Sequence, residues 1–278
     1  MHTRYNVYLS GGGLKGAYQY GFFKELYRRW PEFPLNRVYG VSVGAINSMP
    51  IVLRKMEALD RFWSDASSPF DLIVEDWPDV LSMAPTKKPC GRVKAYLERG
   101  SLFKNMNRGP LEDFLNGISD AEWATTREKL YVITYSKRTQ ETRITRCATK
   151  KRLIETIAAS ARFPGLFDSN DNVEIDGIFA NVEMMFGDGD GGGGGGGEKW
   201  LCLDIKHDPP SIFLGGGGGG GRCRGERIVY RPKISRVPVL GQVASLISNR
   251  AMLDDMIDNG REDAADFVRR ETTTIQCC

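Results

Sequence analysis

The spacing of apolar residues changes period twice within the first 53 positions. Residues 5–9 form a short β-prone run holding two Tyr and a Val, and it stops at Ser10-Gly11-Gly12-Gly13. From Leu14 the spacing lengthens. Leu14, Tyr18, Phe22, Leu26 and Trp30 recur every four residues, with Ala17 and Gly21 beside them, which predicts one apolar helical stripe ending before Pro31. A second β-like run, Arg37-Val38-Tyr39, meets Gly40, and residues 43–53 are apolar enough for a buried helix. Strand, glycine turn and helix, twice in succession, predict an α/β fold built on a parallel sheet. Residues 130–135 add a β-like run, and residues 153–161 a helix closed by Phe163-Pro164-Gly165. Residues 200–205 read as a further strand. Residues 238–268 read as one or two terminal helices, with Leu253, Ile257, Ala264, Phe267 and Val268 on an interrupted apolar face. Residues 62–128 carry five prolines and read as irregular helices and loops covering the sheet.

Composition adds bounds. Of the 32 glycines, 14 fall in two unbroken runs, 191–197 and 215–221, which cannot contribute to a core. The remaining 264 residues are ordinary globular sequence, so the expectation is a single domain over 1–278 with flexible Gly-rich loops at 187–197 and 215–221. Lys+Arg 38 against Asp+Glu 35 gives +3, too weak a field to make nucleic acid the partner. No apolar run approaches the ~20 residues that span a bilayer, and no signal peptide opens the chain. Six Cys without a C-x-x-C pair suit a reducing compartment. The localisation these features predict is cytoplasmic, with membrane contact at most peripheral. His2 and His207 are the only histidines, so a zinc site built from several His is unavailable and few residues can serve as a base.

The chemistry concentrates in two glycine motifs at the ends of the first two strands, where open parallel sheets place their ligands. Gly40-Val41-Ser42-Val43-Gly44 is a G-x-S-x-G. A Ser on a sharp strand-to-helix turn needs neighbours without Cβ, and the turn presents its Oγ above the sheet. Gly11-Gly12-Gly13-Leu14-Lys15-Gly16 leaves backbone N–H groups bare at a helix start, open to an anionic oxygen. Gly11, Gly13 and Gly16 also satisfy G-x-G-x-x-G, the pyrophosphate pattern. A dinucleotide fold wants an acidic residue closing the second strand, however, and here that strand closes on Gly40-Val41-Ser42. An oxyanion hole explains both motifs together, and one donor in such a hole is typically worth ~2.7–4 kcal/mol of barrier.

A nucleophilic Ser needs a base, and two residues compete for the role. His207, followed by Asp208, would complete a Ser-His-Asp triad. Asp176 ends a short β run before Gly177 and would accept the Ser proton directly if buried within hydrogen-bond reach. The residues alone leave both open.

Five separated blocks resemble the patatin-like phospholipases, lipid acyl hydrolases that use a Ser-Asp dyad. Residues 9–26 (LSGGGLKGAYQYGFFKEL) resemble the glycine-rich oxyanion segment and its helix, and residues 39–47 (YGVSVGAIN) the nucleophile elbow. Residues 158–167 (AASARFPGLF) resemble the helix-to-Pro segment before the Asp. Residues 176–181 (DGIFAN) resemble the Asp-Gly motif, and residues 260–268 (GREDAADFV) the terminal helix. The resemblance implies a patatin-like three-layer α/β sandwich around a mainly parallel sheet. It implies Ser42 as nucleophile and Asp176 as base. Gly11, Gly12, Gly13, Lys15 and Gly16 become the oxyanion segment, while Gly40, Gly44 and Gly177 support the elbow and the Asp motif. It also implies metal-independent hydrolysis of glycerolipid esters of the phospholipase A or lysophospholipase type, without a cofactor. One departure stands out: Ile178 occupies a position where the family has Gly or Ala, and its expected effect is to reshape the pocket wall.

The implied partner is a phospholipid or other glycerolipid. Arg222, Arg224, Arg227, Arg231, Lys233 and Arg236 face only Glu226 and would attract anionic headgroups in a transient membrane contact. Cys277-Cys278 fits an ordinary tail better than a prenylated one. Two other readings stay open at this stage: a dinucleotide-binding oxidoreductase, and a patatin-like binding module without activity.

Overall fold

The β-prone runs pair into one seven-stranded sheet in the computed structural model, which describes residues 3–65, 107–164, 173–182, 198–205, 227–233 and 250–276. In chain order the strands are β1 (Arg4–Leu9), β2 (Leu35–Val41), β3 (Leu130–Ser136), β4 (Glu141–Thr145), β5 (Glu174–Asp176), β6 (Glu198–Leu203) and β7 (Arg227–Tyr230). The helices are α1 (Gly16–Arg29), α2 (Val43–Leu53), α3 (Met56–Asp60), α4 (Gly109–Asn116), α5 (Asp120–Lys129), α6 (Lys150–Ser160) and α7 (Arg250–Gln276). The sheet order is β4-β3-β2-β1-β6-β7, with β5 also on β3. The pairs β1/β2, β2/β3, β1/β6 and β6/β7 are parallel, whereas β4 and β5 run antiparallel to β3. The chain is thus an α/β protein with a mixed, mostly parallel central sheet flanked by helices.

Period-2 alternation sorts the strand side chains onto two faces. Tyr5, Val7, Leu9, Val38, Leu130, Val132, Leu201 and Leu203 join the larger core with the helices. Tyr8, Tyr39, Val41, Ile133 and Cys202 face the other way, where Ala180 and Val182 pack on them. The helix α1 carries the expected stripe, since Leu14, Tyr18, Phe22 and Leu26 are all buried. Its burial goes further: every residue from Gly16 through Phe23 is out of solvent, because α7 covers a second side of the helix. Two glycines permit that approach. A Cβ at Gly21 would overlap the Ile257 carbonyl, and one at Gly260 would overlap the Tyr18 carbonyl. The polar ends of this layer are paired, with Tyr18 Oη donating to Asp263 at 2.5 Å.

The structure departs from the sequence reading at two places. Residues 107–129, expected as irregular helices and loops up to 128, contain the regular helices α4 and α5, and Ser119 and Glu122 form a reciprocal capping box at the start of α5. The strand β4 went unread because Glu141, Arg143 and Ile144 are exposed on a charged edge strand with no apolar alternation. In the basic stretch, two of the described cations have carboxylate partners. Arg227 opens β7, while Arg231 pairs with Asp204 at 2.8 Å and Lys233 with Glu262 at 3.2 Å. Outside the described residues lie both glycine tracts, His207, Asp208, Arg222, Arg224, Glu226, Arg236, Cys277, Cys278 and residues 66–106. Among the described residues no helix is long and apolar enough to cross a membrane.

Gly21→Ala and Gly260→Ala are each expected to destabilise the fold by about 1–3 kcal/mol through backbone overpacking, against the gain of up to ~1 kcal/mol that Ala gives a helix. Equilibrium urea unfolding measures it; a raised midpoint would mean that α1 and α7 are not in contact at these positions.

Candidate active site

Where β2 ends, the chain reverses into α2 through Ser42, whose φ of 54° and ψ of −123° lie in a region rarely open to a residue with Cβ. Such a conformation costs of order 1–3 kcal/mol and persists only where surroundings enforce it. The enforcement is steric and polar. A Cβ at Gly40 would come within 2.6 Å of the Ala45 Cα, and one at Gly44 would overlap the Leu9 carbonyl. The Ser42 carbonyl accepts from the Ala45 N–H at 2.9 Å, which locks the first turn of α2. On the other side Ser160, the last residue of α6, accepts from the Ser42 N–H at 2.9 Å and donates to the Ile133 carbonyl at 2.6 Å.

Register brings Asp176 to the same point. β2 occupies one edge of β3 as far as Val41↔Ile133, and β4 holds the other edge from Val132 to Ser136. The next free positions on the β2 side are taken by β5, with Asp176 opposite Thr134. The two strands therefore meet end to end, and Ser42 Oγ donates to Asp176 Oδ2 at 2.8 Å although 134 residues separate them. The other carboxylate oxygen, Oδ1, accepts from the Ile178 N–H at 2.8 Å, and the Asp176 N–H donates to the Arg162 carbonyl at 3.0 Å. Ser42 is 9% exposed and Asp176 2%. A Cβ at Gly177 would overlap the Ile133 carbonyl, so only glycine lets β5 lie this close. Ile178 contributes a backbone donor here, and its branched side chain leaves Asp176 in place.

The glycine segment sits directly against the elbow. A Cβ on Gly11 would stand 2.9 Å from the Ser42 Cβ, and one on Gly12 2.9 Å from the Ile205 Cγ1. Gly13 has φ 56° and opens a 3-10 turn, Gly13–Lys15, that runs into α1. Among the described residues, the N–H groups of Gly11, Gly12 and Gly13 have no hydrogen-bond acceptor. A buried side-chain network holds both ends of this loop. Gln19 Nε2 donates to the Ser10 carbonyl at 2.8 Å, Asn47 Nδ2 to the Gly16 carbonyl at 3.0 Å and to Gln19 Oε1 at 3.1 Å, and Trp63 Nε1 to Asn47 Oδ1 at 2.9 Å. From the β6 side, the Ile205 N–H donates to Ser10 Oγ at 2.7 Å. The Lys15 ammonium is buried. Burial pushes its pKa down to about 8, against the upward pull of the Asp204 carboxylate.

Ser42, Asp176, Gly11, Gly12, Gly13, Gly16, Gly40, Gly44 and Gly177 thus gather at one place, with Lys15 buried at the start of α1. Sequence reasoning missed Ser160, Gln19, Asn47 and Trp63. Ser160, Gln19 and Asn47 lie inside the motif blocks named above, but nothing in spacing distinguishes a hydroxyl or amide that holds a turn from one that merely faces it. Among the described residues no group of three His, Cys, Asp or Glu side chains is placed to hold a metal ion. An alcohol hydrogen-bonded to a buried carboxylate, beside uncommitted backbone donors, is the set that acyl transfer requires.

The description of the patatin-like phospholipase family matches residues 7–192, and the chain belongs to that family. No curated protein matches the chain. Among solved structures it is similar to VipD from Legionella pneumophila, at 12% identity and TM-score 0.45, over 94% of this chain and 67% of that one. It is also similar to a chain of the heterodimeric ExoU–SpcU complex from the type III secretion system of Pseudomonas aeruginosa, at 14% identity and TM-score 0.44. That match covers 97% of this chain and spans 52% of the other.

Two tests address the supports rather than the dyad. Ser160→Ala strands the buried Ser42 N–H, so a loss of about 1–3 kcal/mol in urea unfolding is expected. An unchanged midpoint would show that the elbow is held otherwise. Lys15 releases its proton near pH 8 when folded but near its ordinary 10.5 when unfolded. The unfolded chain therefore binds more protons between those values, and folding stability rises with pH across that window. The stability difference between wild type and Lys15→Met should grow in favour of wild type from pH 8 to pH 10; a flat difference would contradict the lowered value.

Proposed function

We propose that this chain is a lipid acyl hydrolase of the phospholipase A or lysophospholipase type, working through Ser42 and Asp176. The observation that carries the reading is the 2.8 Å hydrogen bond from Ser42 Oγ to Asp176 Oδ2, formed at a strained elbow with the Gly11 backbone packed against it. Asp176 Oδ2 accepts the Ser42 proton as Oγ attacks an ester carbonyl. Oδ1 stays on the Ile178 N–H, so the carboxylate keeps its aim throughout. The tetrahedral oxyanion rests on the N–H groups of Gly11–Gly13, with the positive end of α1 behind them. Collapse returns the proton from Asp176 to the departing alcohol, a lysolipid if the substrate is a diacyl phospholipid, and leaves Ser42 acylated. Water then attacks the acyl-enzyme with Asp176 again as base, releasing the fatty acid and the free serine. Asp176 and the amides carry both steps, so the mechanism assigns no task to a metal.

Ser42→Ala and Asp176→Asn should each lower ester hydrolysis by at least about 10²-fold, the scale of general-base help, with unchanged circular dichroism and melting temperature. Turnover of short-chain nitrophenyl esters and of phospholipid in mixed micelles gives the readout, and a chelator should leave both rates unchanged. Full turnover in folded Asp176→Asn would transfer the base role away from Asp176, with His207 the other candidate in the sequence.

A further inference from the structure

Five large apolar side chains of the described residues are exposed; three of them, Phe163, Val173 and Phe179, lie on the segments next to Asp176, and a fourth, Ile144, lies across β3. Phe163 (40% exposed) follows Arg162, whose carbonyl receives the Asp176 N–H, and Phe179 (45% exposed) lies three residues after Asp176. Their rings stack at 5.8 Å with an interplanar angle of 26°, and Phe179 lies 6.5 Å from Tyr135 of β3. Val173 continues the same edge, its carbonyl accepting from the Lys137 N–H at 2.8 Å. Ile144 stands opposite Ile133 and so shares the face of Tyr135.

The charges near this strip are sorted. Glu174 and Glu141 pair in register with Ser136, whose side chain is on the opposite face from Tyr135, and Arg143 engages Glu174 at 2.9 Å on that far side. At the rim of the strip stand Lys137 and Arg138, both exposed. Half-exposed aromatic rings with a cationic rim suit the boundary between headgroups and acyl chains, where rings insert and cations meet anionic lipid. The deep burial of Ser42 and Asp176 adds a requirement. An acyl ester held in a bilayer reaches Ser42 only if the site lies close to the lipid surface.

We propose that the strip of Phe163, Phe179, Val173 and Ile144, rimmed by Lys137 and Arg138, docks this chain onto an anionic phospholipid surface. The choice of occupant rests on the hydrolase reading above.

The test compares wild type with Phe163→Ser/Phe179→Ser on phosphatidylcholine vesicles containing phosphatidylglycerol. The double variant should hydrolyse vesicle phospholipid about tenfold more slowly or worse, with nitrophenyl butyrate turnover unchanged. Sedimentation with the same vesicles, both proteins carrying Ser42→Ala, reads docking without chemistry and should fall equally. Lys137→Glu/Arg138→Glu should weaken sedimentation on these vesicles and spare those of pure phosphatidylcholine. Undiminished sedimentation in the aromatic variant overturns the proposal. So does a parallel loss of nitrophenyl butyrate turnover, which would make the pair structural. A wild type that ignores vesicles but self-associates through these phenylalanines overturns it too, in favour of a protein occupant. Sedimentation that depends on the strip in a protein hydrolysing neither ester would instead remove the hydrolase reading and leave the docking face.

Discussion

The site depends on two strands sharing one edge of a third. β2 leaves β3 at Val41, and β5 takes over that edge at the next position. Pairing register is specified strongly in a buried sheet, because a slip of one residue would turn every side chain to the wrong face. The distance between Ser42 and Asp176 is therefore fixed by backbone hydrogen bonds rather than by a flexible side-chain approach. The glycines follow from the same constraint. Gly177, Gly40, Gly44 and Gly11 stand where a Cβ would strike a neighbouring backbone or Ser42 itself, so their small size lets three chain segments converge. None of the four is there for flexibility.

Convergence this tight strains the backbone at Ser42, and the surrounding structure holds the strain in place. Ser160 ties the elbow to β3, while Gln19, Asn47 and Trp63 tie the glycine segment to α1 and α2. Each of these polar side chains is buried and satisfied, which is the condition under which a buried network specifies one geometry instead of costing stability. Carboxylate and alcohol are likewise preset, with Asp176 Oδ1 occupied by the Ile178 N–H and Oδ2 left for Ser42. Reorganisation at the moment of reaction is accordingly small.

Much of this was legible because it coincided with a change of hydrophobic period. The switch from strand to helix at Gly11–Gly16 and at Gly40–Gly44 marks both loops, and residues 43–53 form a helix over the expected span. Asp176 was legible as an acidic residue ending a β run before glycine, although the family resemblance, and not spacing, singled it out over His207. What stayed hidden depends on partners distant in the chain. Gly21 and Gly260 look like helix weaknesses until α1 and α7 are seen to cross there. Ser160 looks like any helix-terminal serine. β4 lacks the apolar alternation that declares a strand, because it is largely in contact with solvent, and β7 is only four residues long. After β7, a run of basic side chains does not reveal that Asp204 stands opposite Arg231 and Glu262 opposite Lys233.

The central claim is that Ser42 is a nucleophile activated by Asp176, and covalent labelling addresses it without choosing a substrate. Purified protein is treated with a fluorophosphonate, and the adduct is mapped by peptide mass spectrometry and followed in time. Activation by Asp176 predicts one adduct, on Ser42, whose rate of formation drops by about 10²-fold or more in folded Asp176→Asn. A folded wild-type protein left unlabelled at Ser42, or labelled equally fast in Asp176→Asn, would contradict it.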